Sequence, residues 1–326
     1  MRLLLVKTSS MGDVVHALPV ASDIAARLPG AELDWVVEEA FADVPRLHPA
    51  VRRVVPVALR RWRHAPLAAA SWRELRAARA ALRGGEYDLV LDAQGLLKSA
   101  WIARWARAPV AGLDAASARE PLASRFYAHR YAVPRELHAI ERMRALAGQA
   151  LGYTPRGVAR FALRLPPLEA SVAAALPAAP YAVLLTHSSR ATKSWPDEHW
   201  IALQARLAAS GLRSLLVWGS EEEGCRSQEL AAHMADATVA PRLPLTALAA
   251  VFKRARLVVG LDTGLSHLAA VVGAPTVGIY CDYDPRLTGI VGDARCASAG
   301  DRSGPPPLAD VQAAVDRVLA AGEPAR

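Results

Sequence analysis

An α/β protein built from two open, doubly wound parallel sheets in tandem is the fold class this sequence predicts, and three observations predict it. Its 326 residues exceed what one core usually organises, because domains cluster near ~100–200 residues. Short apolar runs alternate with longer helical patterns, the signature of parallel strands joined by helices. The alternation halts in a segment, 155–180, that holds Pro155, Pro166, Pro167, Pro177 and Pro180, and then restarts. Prolines among small residues mark a linker, so the domains are expected over 1–165 and 166–326.

The first strand is the run 2–6 (RLLLV), followed by a Gly-containing loop, 8–13, and an apolar-periodic helix that ends near Arg27. Strands are then expected at 33–37, 54–57 and 88–92, with helices over 71–83 and 96–106. After the linker come a strand at 181–186, a helix over 197–210, and strands at 212–217, 256–261 and 276–280. A helix over 265–272 follows the 256–261 strand. A last apolar helix, 308–321, is expected to fold back and brace the first domain. Two such domains create a cleft in which ligands meet the carboxyl ends of both sets of strands.

Composition excludes several classes. With 52% hydrophobic and 21% charged residues the chain is globular rather than disordered. Three cysteines, Cys225, Cys281 and Cys296, contain no C-x-x-C pair, which argues against a disulfide framework and for a reducing, cytoplasmic setting. The apolar run at the N-terminus ends at Lys7, too soon for a signal segment, and no uncharged stretch nears the ~20 residues that cross a bilayer. The net charge of +8 is uneven: residues 1–160 carry 24 Lys+Arg and 15 Asp+Glu, net +9, while 161–326 carry 15 and 16, net −1. The first half therefore suits an anionic partner. Only Lys7, Lys98, Lys193 and Lys253 are lysines. A lysine kept in an arginine-writing chain fits a site that needs a compact point charge.

The loop Lys7-Thr8-Ser9-Ser10-Met11-Gly12-Asp13 opens the first helix but is neither a dinucleotide fingerprint nor a Walker A sequence. Read alone, Asp13 fits a helix cap as well as a carboxylate able to remove a proton. Asp262-Thr263-Gly264 resembles an aspartic protease triplet, yet it lies between an apolar strand and a helix rather than in an all-β setting. There the free amides of Thr263 and Gly264 would receive a diphosphate, with Lys193 as the basic partner and His267, four residues beyond Thr263, on the same face. Glu221-Glu222-Glu223 suits a helix N-terminus, or one glutamate, Glu223 before Glu222, accepting from ribose hydroxyls. Arg60-Arg61-Trp62-Arg63 packs three guanidinium groups into four residues, suited to carboxylate or phosphate, or to a solvated turn. Asp282-Tyr283-Asp284 has a metal-binding look but lacks neighbouring ligands, and no metal is expected.

Together these segments become recognisable. Residues 6–14 (VKTSSMGDV), 34–39 (DWVVEE), 60–63 (RRWR), 92–100 (DAQGLLKSA), 119–124 (REPLAS), 193–200 (KSWPDEHW) and 259–268 (VGLDTGLSHL) resemble, in order and spacing, the heptosyltransferase I branch of glycosyltransferase family 9. The matches extend over about residues 1–285. The resemblance implies a GT-B fold and an inverting, metal-independent glycosyltransferase that moves heptose from ADP-heptose to the inner Kdo of Kdo2-lipid A, in lipopolysaccharide core biosynthesis. It would work at the cytoplasmic face of the inner membrane of a Gram-negative bacterium, touching that anionic surface peripherally, with no cofactor and no nucleic-acid partner. Asp13 matches the family's general base. Thr186, Lys193, Glu223, Asp262, Thr263, Gly264 and His267 match the donor side, with Lys193 also catalytic. Lys7, Ser10, Arg60, Arg61, Arg63, Arg119 and His138 match the acceptor side.

The sequence departs from the family at 280–285, where YCDYDP keeps only the last Asp-Pro of the usual Tyr-Gly-Pro-Thr-Asp-Pro, which leaves the shape of that loop open. Two other readings compete. One is a heptosyltransferase II-like or other ADP-sugar transferase acting on a different core acceptor; the other is a non-catalytic polyanion-binding protein, against which stands the absence of basic–aromatic RNA motifs.

Overall fold

The computed structural model describes residues 1–177 and 180–321. Positions 178–179, within the expected linker, and the tail 322–326 lie outside the described residues. The chain divides into two compact units, Met1–Arg164 and Leu165–Arg326.

The first unit runs β1 (Arg2–Val6), α1 (Met11–Arg27), β2 (Glu32–Glu38), α2 (Asp43–Arg46), β3 (Val51–Val57), α3 (Leu59–His64), α4 (Ala69–Arg83), β4 (Leu89–Asp92), α5 (Leu97–Ala103), β5 (Val110–Leu113), β6 (His129–Tyr131) and α6 (Ala139–Leu151). All neighbouring strands pair in parallel, in the order β3-β2-β1-β4-β5-β6. β1 is central, and Leu4, Leu5 and Val6 are fully buried, which is why it reads as a continuous apolar run.

The second unit runs α7 (Ala170–Ala174), β7 (Tyr181–Leu185), α8 (Asp197–Ala209), β8 (Arg213–Leu216), α9 (Glu221–Ala231), β9 (Ala237–Val239), α10 (Leu245–Arg254), β10 (Leu257–Leu261), α11 (Gly264–Val271), β11 (Thr276–Tyr280), α12 (Pro285–Thr288), β12 (Cys296–Gly300) and α13 (Leu308–Ala321). Its parallel order is β12-β11-β10-β7-β8-β9. With β7 taken as the first strand, this is the same winding as the first unit. In each sheet the strand order reverses between two central strands, β1/β4 and β7/β10, and the loops leaving their carboxyl ends form the crevice where such sheets bind ligands.

The helix expected over 308–321 is α13. Val311, Ala314, Val315 and Val318 are buried in the second unit's own core, packed against β11, β12 and α8. The helix expected over 96–106 is α5 followed by a 3-10 turn, Arg104–Ala106, that ends with Arg107 in the left-handed region at φ 57°.

Gly260 in β10 shows why glycine sits beside the second crevice. A Cβ there would collide with the Ser266 hydroxyl and come within 2.8 Å of Leu185. Its absence lets α11 press onto the sheet while Ser266 Oγ donates to the Leu261 carbonyl at 2.6 Å.

Candidate functional site

In the first unit the loop after β1 is fastened by its neighbours. Gln94, just past β4, accepts at Oε1 from the amides of Thr8 (3.0 Å) and Ser9 (3.2 Å), while its Nε2 donates to the Ser9 carbonyl at 2.5 Å. Trp35 in β2 donates from Nε1 to the Lys7 carbonyl at 3.2 Å, and the Lys98 ammonium reaches Ser9 Oγ at 3.3 Å. Beneath, the wholly buried Asp92 accepts from Ser99 Oγ and Tyr127 OH at 2.8 Å each; burial holds its pKa above the ordinary value despite these donors.

This scaffold presents Asp13 in the first turn of α1. Its Oδ2 accepts from the amide and the hydroxyl of Ser10, both at 2.9 Å, and its Oδ1 lies 3.3 Å from Lys7 Nζ. Lys7 is buried and also donates to the Ala93 carbonyl at 3.3 Å. Burial, the largest influence on Asp13, pushes its pKa up; Lys7, the two Ser10 donors and His16 together outweigh it and bring it down to about 2. The carboxylate is thus ionised at neutral pH with its side chain 35% exposed. Asp13 is at once a capping residue and a charged acceptor, so the two readings of its sequence position are both realised.

The other residues expected on the acceptor side also follow the carboxyl ends of strands. His138 caps α6 beyond β6, accepting from the Ile140 amide at 3.3 Å, and its ring meets His16 edge-to-face at 5.4 Å. That connects it to the surroundings of Asp13. Arg119 is exposed beside the Gly95 turn, where a Cβ on Gly95 would lie 3.6 Å from its amide. Arg60, Arg61 and Arg63 ride on α3 after β3, and they are not equivalent. Arg61 forks onto Glu39 (3.0 and 2.8 Å) and reaches Glu74 at 2.8 Å. Arg60 lies over the Phe41 ring at 5.7 Å, and its amide binds Glu38. Arg63 is exposed and has no ion-pair partner among the described residues, which leaves its guanidinium the most available of the three.

In the second unit Lys193 Nζ donates to the Asp262 carboxylate and, at 3.1 Å, to the Asp262 carbonyl. His267 Nε2 lies 3.5 Å from the other carboxylate oxygen. Lys193 and Asp262 are nearly buried, with side chains 14% and 9% exposed. Burial raises the Asp262 pKa, and His267 with Lys193 more than reverses this, leaving it below the ordinary value. Thr263 caps α11 in an extended conformation, φ −135° and ψ 163°. The amides that open α11 are therefore grouped with the nearly buried Lys193–Asp262 ion pair and one histidine, an arrangement able to receive a polyanion.

Thr186, just past β7, carries a buried hydroxyl oxygen with no hydrogen-bond partner among the described residues, a group whose desolvation is offset when water or a ligand bonds it. Glu223 takes the capping role weighed for it: Oε2 accepts from the amides of Gly219 (2.8 Å) and Ser220 (3.2 Å), while Ser220 Oγ accepts from the Glu223 amide. Glu222 takes no part in this box.

Sequence reading gave Gln94, Asp92, Thr192 and Asp282 no role, yet they shape both loops. Thr192 Oγ1 donates to Asp282 at 2.7 Å and Arg190 approaches the same oxygen at 3.6 Å, so the altered 280–285 loop is tied to the turn that carries Lys193. Asp284 is held by Arg286 and Arg302. Among the described residues no three His, Cys, Asp or Glu side chains gather as a metal site would, and no helix is long and apolar enough to cross a membrane.

The sequence profile of glycosyltransferase family 9 (heptosyltransferase) matches residues 75–308. The chain is 47% identical over 306 residues to a protein of Pseudomonas aeruginosa named lipopolysaccharide heptosyltransferase 1, covering 92% of this chain and 84% of that one. Its fold is similar to that of the Escherichia coli heptosyltransferase WaaC with ADP, at 40% identity and TM-score 0.86, over 99% of this chain and 100% of that one. The same enzyme with ADP-2-deoxy-2-fluoro heptose superposes with TM-score 0.83 at 40% identity and the same coverage.

Proposed function

The chain belongs to glycosyltransferase family 9, the heptosyltransferases, and from that premise we propose that it transfers L-glycero-D-manno-heptose from ADP-heptose to the inner Kdo of Kdo2-lipid A. The second unit holds the donor and the first unit the acceptor. The Lys193 ammonium, held by Asp262 beside the opening amides of α11, carries this reading, because a cation next to free helix N-terminal amides suits the charge of a departing nucleoside diphosphate. A relative that is 40% identical holds ADP and a fluorinated ADP-heptose, which supports the choice of nucleotide.

The transfer is a single inverting displacement. The Kdo hydroxyl oxygen bonds to the anomeric carbon, the bond from that carbon to the diphosphate oxygen breaks, and the hydroxyl proton passes to Asp13. An ionised Asp13 accepts that proton directly. Lys193, the amides of Thr263 and Gly264, and His267 stabilise the charge left on ADP, so no metal ion is required. Thr186 donates its hydroxyl to the donor and Glu223 accepts from the ribose hydroxyls. Lys7, Ser10, Arg60, Arg63, Arg119 and His138 contact the carboxylates and phosphates of the acceptor, with Arg61 bracing α3. The acceptor resides in the inner membrane, so the enzyme works peripherally at its cytoplasmic face.

Incubation with ADP-heptose and either Kdo2-lipid A or the same lipid already bearing one heptose tests this reading by product mass. Addition of one heptose to Kdo2-lipid A alone is expected. Turnover confined to the heptosylated lipid would transfer the chain to the heptosyltransferase II reading.

A further inference from the structure

Among the described residues ten large hydrophobic side chains are exposed, and four of them lie on two segments that pack together: Leu97 (39%) and Trp101 (52%) on α5, and Leu122 (53%) and Phe126 (41%) on the 3-10 turn Pro121–Phe126. Leu97 and Trp101 are four residues apart and so share a helix face. The two segments are joined where the Leu97 amide donates to Glu120 Oε2 at 2.7 Å and where the Arg104 guanidinium lies 5.9 Å from the centre of the Phe126 ring. The Trp101 ring meets the buried Trp105 edge-to-face at 4.7 Å, which fixes it in an outward-facing position.

The charges around this apolar group are predominantly positive. Lys98, Arg104 and Arg125 are exposed, and the single acidic neighbour in these segments, Glu120, is engaged in capping α5. Tryptophan, phenylalanine and leucine ringed by Lys and Arg match the chemistry of an anionic lipid interface, where aromatic rings settle at the headgroup level and cations meet lipid phosphates. A protein partner with a matching acidic rim would have to supply many carboxylates, whereas a lipid surface supplies phosphates wherever the patch lands. We propose that this face of the first unit, formed by Leu97, Trp101, Leu122 and Phe126 with Arg104 and Arg125, is a membrane-docking surface selective for anionic phospholipid. It rests on the proposed peripheral action of the enzyme and names the residues that perform it.

The test is flotation of the full chain with vesicles of phosphatidylglycerol and phosphatidylcholine, against vesicles of phosphatidylcholine alone, with no acceptor lipid present. The wild type is expected to float with the anionic vesicles and to stay behind with the neutral ones. Partition should fall about fivefold for each charge lost, so Arg104→Gln with Arg125→Gln weakens it roughly 25-fold, and Leu122→Ser with Phe126→Ser weakens it at least about tenfold. Turnover on a water-soluble, deacylated Kdo acceptor should be unchanged in both double variants, which shows that they are folded and separates this surface from the chemistry. Vesicle binding that is insensitive to these substitutions, or absent in the wild type, overturns the proposal, as does a wild-type dimer that Leu122→Ser with Phe126→Ser dissociates. Absence of heptose transfer to any acceptor would instead count against the proposed reaction and leave the flotation result standing.

Discussion

Replacing Asp13 by Asn removes the proposed base while keeping its shape, and the structure separates the two costs. The amide retains an oxygen for the Ser10 donors, but it loses the ion pair to Lys7 at 3.3 Å. Lowering of the Asp13 pKa from 3.8 to about 2 corresponds to roughly 2 kcal/mol of native-state stabilisation. Because a third of the side chain faces water, screening reduces this to about 1 kcal/mol. That is enough to shift Tm by roughly 2–4 °C for a unit of this size and leaves the protein folded at 25 °C. General-base catalysis contributes ~10²–10⁴-fold, or ~3–5 kcal/mol of barrier. Turnover measured by ADP release should therefore fall by that factor, while calorimetric affinity for ADP-heptose stays within about twofold of wild type, as for any group acting mainly in the transition state. The pH behaviour follows with a definite sign. A depressed carboxylate is ionised above pH 4, so kcat should show no acid limb from Asp13 between pH 5 and 8; its stabilising effect, complete above pH 3.8, is lost only as pH falls through about 2. Asp13→Asn with turnover within about threefold of wild type would remove Asp13 from the chemistry.

Lys193→Ala strands the nearly buried Asp262 carboxylate with His267 alone, so Tm should fall by the equivalent of roughly 3–5 kcal/mol and ADP affinity should drop in calorimetry; adding Asp262→Asn should restore Tm and leave turnover low. Arg60→Ala with Arg63→Ala should raise KM for the lipid acceptor at least about tenfold and leave the KM for ADP-heptose unchanged; an equal loss for both substrates contradicts the division of labour between units. Gly260→Ala drives a methyl group into Ser266 and Leu185, and thermal unfolding should show a loss of roughly 1–3 kcal/mol. Asp282→Asn weakens the hold on Thr192 and Arg190, so the donor KM should rise more than kcat falls, and Asp282→Ala should exaggerate the same split.

What the sequence discloses follows burial. The strands β1, β7, β10 and β11 lie inside their sheets and present continuous apolar runs, so period alone finds them. The edge strands β6, β9 and β12 do not: His129–Tyr131 has two exposed polar residues, and Cys296–Gly300 (CASAG) contains no branched or aromatic residue; β5 is buried inside its sheet, but its four residues, Val110–Leu113, are too few for period to mark. Position in the chain also predicts that the loops after β1 and β10 carry the site, because both open helices after central strands. The partners of those loops are hidden by distance along the chain. Gln94 meets Ser9 across 85 residues and Asp282 meets Thr192 across 90, contacts that exist only because β4 lies beside β1 and because the loop after β11 reaches the turn after β7. Strand order, which no local pattern encodes, decides them. Glu223 shows the reverse case: its local pattern, a serine three residues before a glutamate, already specifies the capping box.

In the proposed heptose transfer the leaving-group charge is met by side chains and amides. Its most direct test is the mass of the lipid product after reaction of ADP-heptose with Kdo2-lipid A in the presence of excess EDTA. One added heptose, formed at the rate seen without chelator, is the expected result; a lipid of unaltered mass, with activity restored by a divalent cation, would contradict it.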